Sequence, residues 1–247
     1  MKDSLESTDF APDEFCAYVD GFNLYKGALE RRPDLKWLDL VSFCSSLRPE
    51  LRLRKISYFT ARVVERFQGD SSSSRQHRYL RVLANQGIEI VYGKFRKNDS
   101  WMRIQPRLTE RSIEPNLPTH AGLTRLAMNS SNRRASPDVP RARVQKLEEK
   151  GSDVNLAAHL LRDAYSGLSN ALVISGDADL VTPVRFAVDF GVNVRTVVPN
   201  RNIQCSALRA VSSSLLQLHP NILLYHQLNR SFTTLKGGSI TRPESWK

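Results

Sequence analysis

Cysteine is scarce in this chain, with three residues in 247, Cys16, Cys44 and Cys205. Their odd number, wide scatter and lack of CxxC spacing argue against a disulfide framework or a thiolate zinc site, and favour buried, reduced thiols. No GxSxG, P-loop or GxGxxG motif occurs, which removes the common hydrolase, kinase and dinucleotide-binding readings. His77, His120, His219 and His226 have no metal-ligand spacing among them. No apolar run approaches the roughly 18 residues that a bilayer-spanning helix needs, so no membrane partner is expected. Met1 to Glu14 is acidic and lacks the basic-then-apolar layout of a signal peptide. The expected compartment is therefore the cytoplasm. No internal repeat is visible, and a homo-oligomer is compatible with the sequence.

What is abundant is positive charge. Lys and Arg number 36 against 25 Asp and Glu, a formal net charge of +11. A chain this basic suits a polyanionic partner, although solvated lysines and arginines alone would give the same excess. Hydrophobic residues make up 40%, enough for a full core.

Strand and helix patterns alternate along most of the length. Residues 15–19, 55–61, 88–92, 171–174 and 192–198 read as strands, and residues 38–43, 75–86, 153–165, 182–190 and 207–218 as helices. Ser71 to Ser74 are placed to cap the second helix, and Gly87 to end it. Nearly continuous apolar strands between helices predict a parallel sheet covered on both faces, an α/β fold. The expected organisation is an acidic, flexible N-terminus over 1–14, a single domain over 15–228, and a polar, disordered tail over 229–247. Within the domain, an insertion at about 98–143 carries five prolines, at 106, 115, 118, 137 and 140. Lys97 to Lys146 hold ten Lys/Arg and four Asp/Glu, a net +6. Trp101, Arg103 and Arg107 near its start are candidates for stacking and phosphate contacts; the plain alternative is a solvated excursion.

Four acids stand where strands end or helices begin. Asp20 closes Phe15-Cys16-Ala17-Tyr18-Val19 and opens Asp20-Gly21-Phe22-Asn23. Asp177 and Asp179 follow Val173-Ile174-Ser175-Gly176, and Asp153 opens an apolar helical run. Three have local explanations, Asp20-Gly21 as a turn and Asp153 and Asp179 as helix caps, as Asn23 has too. Asp177 and Asp179, two residues apart at a strand end, are by contrast costly without a partner. Together they point to one place, since ligands of open α/β sheets bind at the carboxyl ends of strands. Converging carboxylates repel unless a cation sits among them, and hard oxygen ligands suit Mg²⁺ or Mn²⁺. Glu149 lies four residues before Asp153 and shares its side if the helix begins early, which makes Lys150 a candidate for phosphate contact or charge balance. His159, six residues further on, points elsewhere on the helix and reads as a packed histidine rather than a base.

Tyr18-Val19-Asp20-Gly21-Phe22-Asn23-Leu24-Tyr25, Glu148-Glu149-Lys150-Gly151-Ser152-Asp153-Val154-Asn155-Leu156-Ala157 and Val173-Ile174-Ser175-Gly176-Asp177-Ala178-Asp179-Leu180 occur in that order. These blocks resemble the NYN domain of the PIN-like ribonuclease superfamily, over residues 15–97 and 144–226. The resemblance implies a Rossmann-like three-layer α/β/α sandwich and a Mg²⁺- or Mn²⁺-dependent nuclease, with RNA favoured over DNA. Asp20, Asp153 and Asp177 match its acidic positions, Asp179 a further acid, and Asn23 the asparagine that accompanies the first aspartate. Many relatives carry an acid at the position of His159. The expected function is metal-dependent phosphodiester hydrolysis, with Asp20, Asp153, Asp177 and Asp179 holding metal and Asn23, Lys150, Ser175, Arg103 and Arg107 contacting substrate. The rival is a non-catalytic nucleic-acid-binding or regulatory module.

Overall fold

The computed structural model describes residues 10–65, 68–103, 141–200 and 205–246. Contacts divide the chain into two compact units. One comprises residues 1–95 with 149–247, the other residues 96–148.

The larger unit is built on a six-stranded sheet, all of whose ladders are parallel. In chain order its strands are β1 (Glu14–Asp20), β2 (Arg52–Thr60), β3 (Glu89–Tyr92), β6 (Asn170–Ile174), β7 (Asn193–Val198) and β8 (Ser214–Gln217). In space they run β3-β2-β1-β6-β7-β8. Every residue of β1 and of β6 is buried, as central strands covered on both faces require.

Helices fill both faces. Beyond β1 come a single turn, α1 (Gly21–Leu24), and a π-helical turn over Tyr25–Leu29. One face is covered by α2 (Leu40–Leu47) and α3 (Ser72–Asn85) through a core that includes Phe15, Val19, Trp37, Phe43 and Leu83. The other is covered by α4 (Ser152–Tyr165), α5 (Val181–Asp189) and α6 (Ser206–Val211) through Tyr18, Phe59, Leu156, Leu160 and Val184. The fold is thus α/β, a Rossmann-like three-layer α/β/α sandwich. No described helix is long and apolar enough to cross a membrane.

Three local expectations are corrected. The Ser71–Ser74 run does not cap α3 through a serine side chain. Asp70 Oδ1 instead accepts from the Ser72 N–H at 2.9 Å. The helix expected over 207–218 ends at Val211, and Ser214–Gln217 pairs with β7 as an edge strand. Serine chemistry explains the break: Ser212 Oγ donates to the Leu208 carbonyl, and Ser213 Oγ accepts from the Val194 N–H at 3.0 Å.

The described part of the tail, residues 229–246, carries regular structure. Strands β9 (Ser231–Thr233) and β10 (Ser239–Thr241) pair antiparallel, and a 3₁₀ turn over Glu244–Trp246 follows. Trp246 stacks 6.1 Å from both Trp37 and Tyr79, and Ile240 joins the same core. A few large apolar groups among polar neighbours suffice to dock a segment whose average composition reads as disordered.

In the smaller unit, β4 (Lys94–Arg103) and β5 (Arg141–Lys150) pair with each other. Trp101 and Met102 are about half exposed on β4. The Arg103 side chain and all of Arg107 lie outside the described residues, as does most of the proline-rich stretch.

Candidate active site

The sheet order fixes where a site forms. From β1 the chain crosses through α2 to β2 on one side, while β6 flanks β1 on the other. The connections that leave the carboxyl ends of β1 and β6 therefore run to opposite faces of the sheet, a topological switch point. Val19 pairs with Ile174 there, which sets Asp20 beside Ser175.

Asp20 is 4% exposed and serves two structures at once. Its Oδ1 accepts from the Asn23 N–H at 2.9 Å and so caps α1. Its Oδ2 accepts from Ser175 Oγ at 2.9 Å. Asn23 acts across the gap rather than as a cap, its Oδ1 accepting from the Gly176 N–H at 2.9 Å. Ser175 Oγ in turn accepts from the Asp177 N–H at 3.2 Å, and Asp177 Oδ1 accepts from the Asp179 N–H at 3.0 Å. The two strand-end loops are thus tied together by side chains.

The third block arrives with α4. Gly151, at φ +98°, takes the left-handed conformation that turns β5 into the helix. Asp153 does not cap this helix: it lies in the first turn, after Ser152. Glu149 Oε1 accepts from both the N–H and the Oγ of Ser152, at 3.1 and 2.5 Å. A Cβ at Gly93 would stand 2.5 Å from Glu149 Oε1, so only glycine lets the end of β3 approach so closely. Lys150 is exposed at the end of β5.

These acids feel one another. Burial pushes the Asp153 carboxyl up to about 6, with Asp20, Asp177, Glu149 and Asp179 adding to the rise. Burial likewise raises Asp20 against the lowering effect of its two hydrogen bonds, and the charges of Asp177 and Glu149 contribute. All four predicted acids and Glu149 therefore share one electrostatic neighbourhood. Glu149 was legible only as a neighbour in sequence; its double hydrogen bond to Ser152 emerges from the fold.

Such a set of hard oxygen donors, each disfavouring its neighbour's charge, suits the charge of a divalent cation. As the side chains stand, however, no three His, Cys, Asp or Glu groups among the described residues close into a ready metal cage. The donor chemistry fits the ion, while the ligand positions are not preassembled.

His159 lies away from this cluster, packed edge-on against Phe59 at 5.3 Å, its Nδ1 3.9 Å from Glu89. Burial holds its pKa below the ordinary histidine value, in keeping with a packed side chain. A second polar cluster is structural: Asp163 accepts from Tyr18 Oη at 2.7 Å and pairs with Lys55 at 2.8 Å and Arg162 at 2.9 Å.

No protein-family model matches the chain. Over 255 residues it is 28% identical to the 6-hydroxy-3-succinoylpyridine 3-monooxygenase of Pseudomonas putida (strain DSM 28022 / S16), covering 93% of this chain and 74% of that protein. Among solved structures it is similar to a protein of unknown function from Vibrio parahaemolyticus RIMD 2210633. That likeness has 13% identity and a TM-score of 0.40, over 84% of this chain and 93% of the other.

Proposed function

We propose that this chain is a cytoplasmic, metal-dependent nuclease of the NYN type that hydrolyses phosphodiester bonds, with RNA as the preferred polymer. The observation that carries this reading is the coupling of Asp20, Asp153, Asp177, Asp179 and Glu149 at the β1/β6 switch point. Five neighbouring carboxylates cannot bind a phosphate unaided, so polyanion chemistry there calls for Mg²⁺ or Mn²⁺. When bound, such an ion supplies a water of lowered pKa and offsets charge on the phosphate oxygens. Asp20, Asp153 and Asp177 would hold it, with Asp179 as an additional ligand. Ser175 and Asn23 keep the two strand-end loops in register, and Lys150, exposed just before α4, would supply a phosphate contact. The formal charge of +11 favours approach of a polyanion to an otherwise acidic site.

The test is cleavage of labelled single-stranded RNA and DNA with Mn²⁺, Mg²⁺ or EDTA, beside an Asp177→Asn control. Metal-dependent products, lost in the variant, are the expected result. Intact strands with a stable gel shift would replace hydrolysis with a non-catalytic binding role.

A different chemistry is suggested by the 28% identity to the monooxygenase. Oxygen uptake that depends on 6-hydroxy-3-succinoylpyridine and an added reductant, with nucleic acids left intact, would establish that reading in place of the nuclease.

A further inference from the structure

Tyr92 ends β3, two places from β1 in the sheet, and its register partner Thr60 is the last residue of β2. At about 4.8 Å per strand, its backbone lies about 10 Å from Asp20 along the same carboxyl edge, with the Tyr92 side chain leaving the sheet on the α3 face and that of Asp20 on the α4 face. The backbone around it is held from two directions. The Gly93 N–H donates to the Thr60 carbonyl at 2.7 Å. Asn155, two residues after Asp153, donates from Nδ2 to the Tyr92 carbonyl at 3.5 Å. The next residue, Gly93, is the one pressed against Glu149 and Ser152.

The Tyr92 backbone is thus tied to the rim of the acid cluster, and the residue is 42% exposed. The Arg62 guanidinium carbon stands over the ring, 5.1 Å from its centroid. Arg62 is itself exposed and takes part in no ion pair among the described residues. An accessible aromatic ring and a guanidinium without a carboxylate partner are the two groups an unpaired nucleotide engages. The base stacks on the ring, and the phosphate accepts from the guanidinium.

We infer that Tyr92 and Arg62 form a docking subsite for one nucleotide of a single-stranded nucleic acid, holding the strand so that a neighbouring phosphodiester reaches the acids. This rests on the nuclease reading and adds to it a nucleotide subsite outside the acid cluster. A duplex keeps its bases stacked on each other and cannot offer one to Tyr92.

The test uses the full chain in the Asp177→Asn background with Mn²⁺, and a fluorescein-labelled 12-nucleotide RNA followed by anisotropy. Tyr92→Ala should weaken binding about tenfold, while Tyr92→Phe, which keeps the ring, should retain it. Arg62→Ala should lower the slope of log affinity against log salt by about 0.7, one phosphate contact on a single strand. A duplex of the same sequence should bind all three variants alike. Both replaced side chains are exposed, and matching thermal midpoints would confirm intact folds. In the Asp177-containing chain, Tyr92→Ala should raise KM with kcat nearly unchanged. Cleavage by the unsubstituted chain with affinity and salt slope unaltered in both alanine variants would overturn the subsite alone. An unsubstituted chain that neither cleaves nor binds the strand would overturn the subsite together with the nuclease reading.

Discussion

Ser175 Oγ donates to Asp20 Oδ2 at 2.9 Å, joining the ends of β6 and β1 across 155 residues of sequence. The same oxygen accepts from the Asp177 N–H. One hydroxyl therefore orients the carboxylate of one acid and the backbone that carries another. Removing it by Ser175→Ala should lower Mn²⁺ affinity, or cleavage, by about 10–100-fold, the usual effect of losing a partner of a ligating group. The loss of a buried donor should also cost about 1–3 kcal/mol of stability. Isothermal titration with Mn²⁺ and a denaturant melt check both, and unchanged Mn²⁺ affinity and cleavage would separate Ser175 from the site.

The Asp153 carboxyl, raised to about 6 from an ordinary 3.8, binds its proton more tightly in the folded chain than in the unfolded one. Stability of the metal-free protein should therefore fall as pH rises from about 4 to about 6, then level off. Asp153→Asn should remove that part of the slope and raise the melting temperature above pH 6. Melts in EDTA from pH 4 to 8 decide the matter; a slope identical in the variant would refute it. Added Mn²⁺ should stabilise the native chain more at pH 7.5 than at pH 5.

Gly93→Ala should be costly despite its size. The new methyl would stand 2.5 Å from Glu149 Oε1, 2.8 Å from the Lys150 carbonyl and 2.9 Å from Ser152 Oγ. Displacing these groups should destabilise the chain by about 1–3 kcal/mol and disturb the start of α4. Chemical denaturation measures the loss. If Glu149 is what the methyl meets, Glu149→Ala in the same chain should recover part of it, a non-additivity readable in a double-mutant cycle.

Trp246 sits one residue from the last position yet is 8% exposed, against Trp37 and Tyr79. Trp246→Ala should destabilise by about 3–5 kcal/mol, whereas Lys236→Ala on the nearby exposed turn should change stability by less than about 0.5 kcal/mol. Equal effects from the two would place the tail outside the core.

Much of the site could be read from the chain because its parts carry strong local signals. Asp20 follows an uninterrupted apolar strand, and Asp177 closes another within three residues of Ile174. The 3.6-residue pattern begins immediately beyond Gly151. What stayed hidden depended on partners distant in sequence. Ser214–Gln217 is a strand only because β7 offers an edge, and a run containing Leu215, Leu216 and Leu218 fits helix or strand alike. Trp246 looks like part of a polar tail until Trp37 meets it. Asn23 resembles a helix cap until Gly176 arrives to donate to it. Residues of the basic stretch, Arg107 among them, lie outside the described part of the chain.

The chain departs from its larger unit after Phe95 and returns at Glu149, and Gly93 and Glu149 already meet at the point of departure. A segment whose two ends are closed by the host behaves as a graft. Its length does not enter the threading of the parallel sheet, whose six strands all belong to the larger unit. The hydrogen bonds that fix Asp20 and Asp177 are made to Asn23, Ser175 and Asp179, all within the larger unit, so the geometry of the strand ends is set by the host alone.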